Sequence, residues 1–194
     1  MAQYPLIEVE DSVLIVIDVQ EYFLKKFPPE LRGPLRSRIR WLIGVANWLQ
    51  IPIVVTAEDM DRLGSVDPEV AVMLPPKSSV HNKMTFGLPD DALILGEVAR
   101  TGRKTAVLIG LETDVCVAHS AVGLVERDYR VVVIADATGS PGDAHTYGLE
   151  RIRGAGGLIL SVKGLLYEWL RTVDQSQRFR AECKELGVPD GTVL

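Results

Sequence analysis

Thr105-Ala106-Val107-Leu108-Ile109-Gly110-Leu111-Glu112-Thr113-Asp114-Val115-Cys116-Val117 passes from an apolar run through a polar junction into a helical pattern, and its reading decides the fold. The first five residues read as a strand. Beyond the junction Ala118, Ala121, Val122 and Val125 recur at helical spacing, so the unit is strand, turn, helix. Thr113 or Asp114 stands where a helix cap belongs, which puts Cys116 in the first turn. Unpaired amide hydrogens and the positive end of the helix dipole favour an anion there and lower a thiol's pKa from its free value of about 8.5. Cys116 is then either an activated nucleophile or a small apolar residue packing the junction.

Working outward, the same alternation repeats. Val13-Leu14-Ile15-Val16-Ile17 is an unbroken branched apolar run, the pattern of a strand covered on both faces in a parallel sheet. Leu35, Ile39, Leu42, Ile43, Ala46 and Leu49 keep a helical period, and Ile53-Val54-Val55-Thr56 follows as a strand. The Pro/Gly/Asp-rich stretch 59–76 reads as a long loop with one helical turn near 68–73, at the rim of a pocket. A helix over 90–100, strands over 130–135 and 157–160, a helix over 144–153 and a charged final helix over 172–185 complete the pattern. The expected fold is a three-layer α/β/α sandwich on a mostly parallel, Rossmann-like sheet of about six strands, with residues 1–194 forming one domain.

Composition narrows the function. A chain of 194 residues that is 47% hydrophobic can bury a sizeable core. Its net charge of −5, without a basic stripe, argues against a nucleic-acid surface. No apolar run approaches the length that crosses a bilayer. Two cysteines and no leader-like start point to a reducing, cytoplasmic setting. Cys183 lies in a charged helix with nothing to activate it and is expected to be inert and exposed.

Two more residues carry chemistry. Asp18 closes the first strand, where an acid faces the crevice in which parallel sheets bind ligands, although turn formers and caps also sit there. Lys83 lies in the polar loop His81-Asn82-Lys83-Met84-Thr85-Phe86-Gly87, where a lysine is commonly a solvated charge.

Ile17-Asp18-Val19-Gln20 with Phe23, the Lys83 loop before Phe86-Gly87, Glu112-Thr113-Asp114-Val115-Cys116-Val117 and Val133-Ile134-Ala135-Asp136-Ala137 stand in one order along nearly the whole chain. In that order they resemble the isochorismatase-like cysteine hydrolases, the superfamily of nicotinamidase and N-carbamoylsarcosine amidohydrolase. The wording around Cys116 and the ending Lys163-Gly164-Leu165-Leu166-Tyr167-Glu168-Trp169-Leu170 look most like isochorismatase domain-containing proteins and related bacterial hydrolases.

The resemblance implies a triad of Asp18, Lys83 and Cys116, an oxyanion site made by the backbone amides of Glu112 and Cys116, and a non-proline cis peptide at Leu111–Glu112. It also implies a pocket bordered by Phe23 and Gln20 around a small amide, carbamoyl or ester substrate. Nicotinamidases carry an Asp-x-His metal site after the second strand. Here those positions are Glu58 and Met60, a poor donor set for zinc or iron, so neither a metal nor another cofactor is expected. His81, His119 and His145 lack ligand spacing, and His145 is open as a rim residue. A vinyl-ether hydrolase and a silent interaction protein on the same fold are the competing readings. Members commonly form homo-oligomers, and the apolar 164–170 segment is expected to need cover for Tyr167 or Trp169.

Overall fold

The computed structural model describes residues 6–194, so residues 1–5, part of the stretch read for a leader, lie outside the described residues. In chain order the elements are β1 (Ser12–Ile17), α1 (Glu21–Leu24), α2 (Pro29–Trp48), β2 (Ile53–Glu58), α3 (Met60–Leu63), α4 (Pro68–Ala71), β3 (Val80–Lys83), α5 (Ala92–Arg100), β4 (Thr105–Leu111), a π-helical turn (Thr113–Val117), α6 (Ala118–Val125), β5 (Arg130–Gly139), α7 (Ala144–Gly154), β6 (Leu158–Leu160), α8 (Val162–Leu170) and α9 (Val173–Glu182).

The sheet has six strands in the order β3-β2-β1-β4-β5-β6, every adjacent pair parallel. The path reverses beside β1, which opens a crevice at the carboxyl edge between β1 and β4, the place where such sheets hold ligands. Side chains along each strand alternate between two packed layers. Leu14, Val16, Val55, Val107, Ile109, Val132 and Ile134 face the layer of α2 and α8, whereas Val13, Ile15, Ile17, Val54, Ala106, Leu108, Val131 and Val133 face that of α5, α6 and α7.

Three sequence expectations change. Lys83 ends a strand rather than sitting in a loop: β3 is an edge strand, paired to β2 from Val55↔Val80 to Glu58↔Lys83. The 59–76 stretch holds two short helices, the second capped by the Asp67 side chain, which accepts from the amides of Glu69 and Val70. Trp169 is buried within this chain and donates to Ser12 Oγ at 3.1 Å, so it needs no neighbour; Tyr167 is 39% exposed.

The carboxyl-terminal helix α9 closes the outer layer. Phe179 packs edge-on against Trp41 and Trp48 at ring separations of 5.7 and 5.4 Å, and all three tryptophans stand on this layer.

One glycine is required where β1 and β4 meet. Gly110 has φ of 122°, and a Cβ there would collide with the Ile17 carbonyl oxygen, at a point where the β4–β5 register shifts. Gly110→Ala is expected to destabilise the fold by at least about 2 kcal/mol in urea titration. A smaller loss would mean that the two strands separate there at little cost.

Candidate active site

Four strand ends converge on the crevice. Asp18 follows β1 with φ of 49°, a left-handed conformation that aspartate adopts more readily than most residues. Its amide donates to the Thr56 carbonyl at 3.1 Å, and its Oδ1 accepts from Thr56 Oγ1 at 2.8 Å, so β2 fixes both ends of the residue. Lys83, at the end of β3, is fully buried. Its ammonium lies 2.9 Å from Asp18 Oδ2 and donates to the carbonyls of Thr85 at 2.6 Å and Phe86 at 3.1 Å. Two carbonyl acceptors and a carboxylate countercharge offset the cost of burying the ammonium.

Cys116 is 1% exposed, and its Sγ donates to Glu58 Oε2 at 3.1 Å. Glu58 ends β2 and also stands 3.9 Å from Lys83 Nζ. Sequence reasoning weighed Glu58 only as a metal ligand and missed it as a neighbour of the thiol. The available signal was position, because Glu58 ends a strand beside Asp18 just as Asp18 ends its own.

Gln20 and Phe23 do different work from that expected of pocket residues. Gln20 Nε2 donates to the carbonyls of Glu58 at 2.8 Å and Gly64 at 2.6 Å, while its Oε1 accepts from the Glu58 amide at 2.8 Å. The whole amide is thus committed to holding the β2 end and the segment after it. Phe23 is buried in the core, with Lys26 Nζ 4.8 Å from its ring centre, and Lys26 pairs with Glu112 Oε2 at 3.1 Å. The Met60 thioether packs on the same core, while its amide donates to Asn82 Oδ1 at 2.8 Å.

The turn that carries Cys116 is built differently from a capped helix start. Thr113 Oγ1 shares a hydrogen bond with His145 Nδ1 at 2.9 Å, and Asp114 Oδ1 accepts from Ser140 Oγ at 2.6 Å, so neither side chain caps. Instead the Glu112 carbonyl accepts from the amides of Val115 and Val117 across a π-helical turn. The Leu111–Glu112 peptide is cis, matching expectation. Helix α7 crowds the turn from behind: a Cβ on Gly148 would stand 2.7 Å from backbone atoms of Thr113 and Asp114.

The electrostatics reverse one expectation. Burial pushes the Cys116 thiol far above its ordinary range, the Asp18 carboxylate adds to this, Lys83 opposes it, and the hydrogen bond to Glu58 raises it further. Desolvation and two carboxylates together outweigh Lys83, and this favours the protonated thiol. Burial also raises the Asp18 carboxyl, opposed by Lys83 and Thr56. His145 is held below its ordinary range by burial, against the pull of Asp114. Cys183 is half-buried rather than exposed, and burial followed by Glu182 raises its thiol.

Donor atoms of Asp18, Glu58 and Cys116 lie within 4.8 Å of one another, the one such trio among the described residues. The Lys83 ammonium already supplies the countercharge a cation would bring. No helix among the described residues is long and apolar enough to cross a membrane.

The chain has relatives. The chain is 33% identical to a secreted isochorismatase effector, Isc1, of Phytophthora sojae over 169 residues, 81% of this chain and 76% of the relative. It is 27% identical to isochorismatase family protein 2A of Dictyostelium discoideum, over 87% of this chain and 86% of that one. Among solved structures, the YcaC product of Escherichia coli, an octameric hydrolase of unknown specificity, superposes with a TM-score of 0.88 at 21% identity, covering 98% of this chain and 94% of that one. Residues 12–163, which contain every strand and all four strand-end groups, match the isochorismatase domain model, and the chain belongs to the isochorismatase family of hydrolases.

Proposed function

We propose that the protein is a metal-independent cysteine hydrolase that cleaves a small amide, carbamoyl or ester substrate through a thioester on Cys116. The observation that carries this reading is the buried thiol, hydrogen-bonded to one carboxylate and within 4.8 Å of a second that is itself paired with a buried lysine.

The sulfur attacks the carbonyl carbon as the Asp18 carboxylate takes its proton and returns it to the leaving group. The oxyanion is received by the amides of Glu112 and Cys116, a type of donor whose loss typically costs about 3 kcal/mol of barrier. The leaving group departs with the proton, and water then resolves the thioester. Lys83 holds Asp18 in place and offsets the negative charge of the centre. A vinyl-ether hydrolase would protonate carbon and leave the thiol without a task, and a silent interaction protein would have no use for a buried lysine paired with a buried aspartate; the Cys116–Glu58 bond favours the first reading.

The test is acyl-enzyme trapping. Protein pretreated with EDTA is mixed with a pooled library of small amides, carbamates and esters, quenched in acid and weighed intact. A mass increment that maps to the Cys116 peptide is expected. No adduct, or an adduct formed only before EDTA treatment, would sink the metal-independent thioester route. We further propose a homo-oligomer, in line with the octamer of the Escherichia coli relative, working in the cytoplasm, where both free thiols stay reduced.

A further inference from the structure

Of the four strand-end groups, Glu58 is the one to which the hydrolase reading assigns no step. Asp18 takes the thiol's proton: burial raises its carboxyl, while Lys83, Thr56 and Cys116 hold it by charge and by hydrogen bonds. Lys83 is committed to Asp18 and to the carbonyls of Thr85 and Phe86. Glu58 works against the nucleophile. Burial and the Asp18 charge push the Cys116 thiol up, and the hydrogen bond and charge of Glu58 push it further. A carboxylate held 3.1 Å from the sulfur hinders thiolate formation until something else donates to it.

The backbone fixes where that carboxylate stands. The β2–β3 register sets Glu58 beside Lys83, and Gln20 accepts from its amide and donates to its carbonyl, each at 2.8 Å. The side chain itself has few partners. Oε2 accepts from the thiol, a weak donor, and stands 3.9 Å from Lys83 Nζ, while Oε1 makes no hydrogen bond among the described residues. The Glu58 side chain is 17% exposed, whereas those of Asp18 and Lys83 are sealed, so Glu58 is the charged group of the centre that meets an incoming molecule. A carbonyl carbon that bonds to Sγ brings one of its own substituents against this carboxylate. An ester oxygen would turn its lone pairs on a negative charge, and an alkyl group would take water from the carboxylate without replacing its hydrogen bonds. An N–H would donate to it.

We propose that Glu58 is the specificity-determining residue of this centre: its carboxylate accepts an N–H carried on the substrate's carbonyl carbon and so selects amide, carbamoyl and ureido substrates over esters. The assignment deepens the hydrolase reading above and rests on it. Binding and chemistry are then linked, because a carboxylate engaged by a substrate donor opposes the thiolate less than one that faces the thiol alone. A site built around an N–H also rejects the analogue that lacks it, since its own charge is left buried and unpaired.

The test compares two alkylating agents that differ in one group, N-methyliodoacetamide and methyl iodoacetate, the first carrying N–H where the second has oxygen. Rates at Cys116 and Cys183 are followed by site-resolved mass spectrometry in wild type, Glu58→Met and Glu58→Gln. Dividing each Cys116 rate by the Cys183 rate removes the reagents' intrinsic reactivity, and a changed thiol pKa alters both reagents alike and cancels from their ratio. Wild type is expected to prefer the N–H reagent at least about tenfold, the effect of one charge-assisted hydrogen bond. Glu58→Met abolishes the preference, and Glu58→Gln, which keeps an acceptor without the charge, falls between. A wild-type preference under about threefold, full retention of the preference in either variant, or a Cys116 inert to both reagents overturns the proposal. Alkylation needs no turnover, so the two readings fail separately. A preference without any trapped acyl-enzyme removes the hydrolase and leaves the N–H subsite, whereas acyl-enzymes formed without the preference remove the subsite alone.

Discussion

Replacing Cys116 with alanine is expected to lower hydrolysis by at least about ten-thousand-fold, whereas Cys183→Ala leaves it unchanged. Deleting a nucleophile that acts as one unit with its base removes nearly the whole chemical step and leaves only binding and oxyanion stabilisation. Cys183 lies at the carboxyl end of α9, on the outer face of the α2 layer, and Cys116 lies in the opposite layer. Steady-state rates on whichever substrate yields the acyl-enzyme are the measurement. A Cys116→Ala protein that retains more than about a hundredth of the activity would show that the thiol is not the attacking group.

Lys83→Met should be the most costly single change to stability. The methionine keeps much of the buried volume, so the loss isolates the charge. The Asp18 carboxylate would remain wholly buried with its cation gone, and breaking such a pair from one side costs about 3–5 kcal/mol. The pH dependence has a definite sign. Burial already raises the Asp18 carboxyl, and removing Lys83, which opposes that rise, raises it further. A carboxyl that binds its proton more tightly when folded favours the folded state at low pH and loses that advantage as pH rises. Urea titrations should therefore show the largest gap from wild type at neutral pH, narrowing toward about pH 4. A gap under about 1 kcal/mol at neutral pH would mean that Asp18 is not held as a carboxylate by Lys83.

Much of this was legible in the chain, for reasons that differ by element. The β1 run and the strand–turn–helix unit around Cys116 carry their own apolar pattern, and the sheet follows from repeating that unit. The strand β3 does not. Val80-His81-Asn82-Lys83 holds one apolar residue, and it is extended because β2 offers it a register, which is a non-local cause. The thiol was misjudged for a similar reason: a helix start is visible locally, while the burial and the two carboxylates that raise Cys116 arrive from strands far away in sequence. Glu58 was hidden by being compared with a metal pattern it does not match. Trp169 looked like an interface residue because its partner, Ser12, is 157 positions away.

The aromatic closure by α9 also decides how the molecule can be watched. Trp41, Trp48 and Trp169 all pack on the layer of α2 and α8, while Cys116 lies on the other side of the sheet. Intrinsic emission therefore reports the seating of α9 on α2 and the burial of α8. Loosening the carboxyl-terminal helix should shift that signal while the layer that carries Cys116 stays intact. Occupation of the thiol's crevice should pass without an optical trace, so a fluorescence melt of this protein measures one wall of the sandwich and not the crevice behind the other.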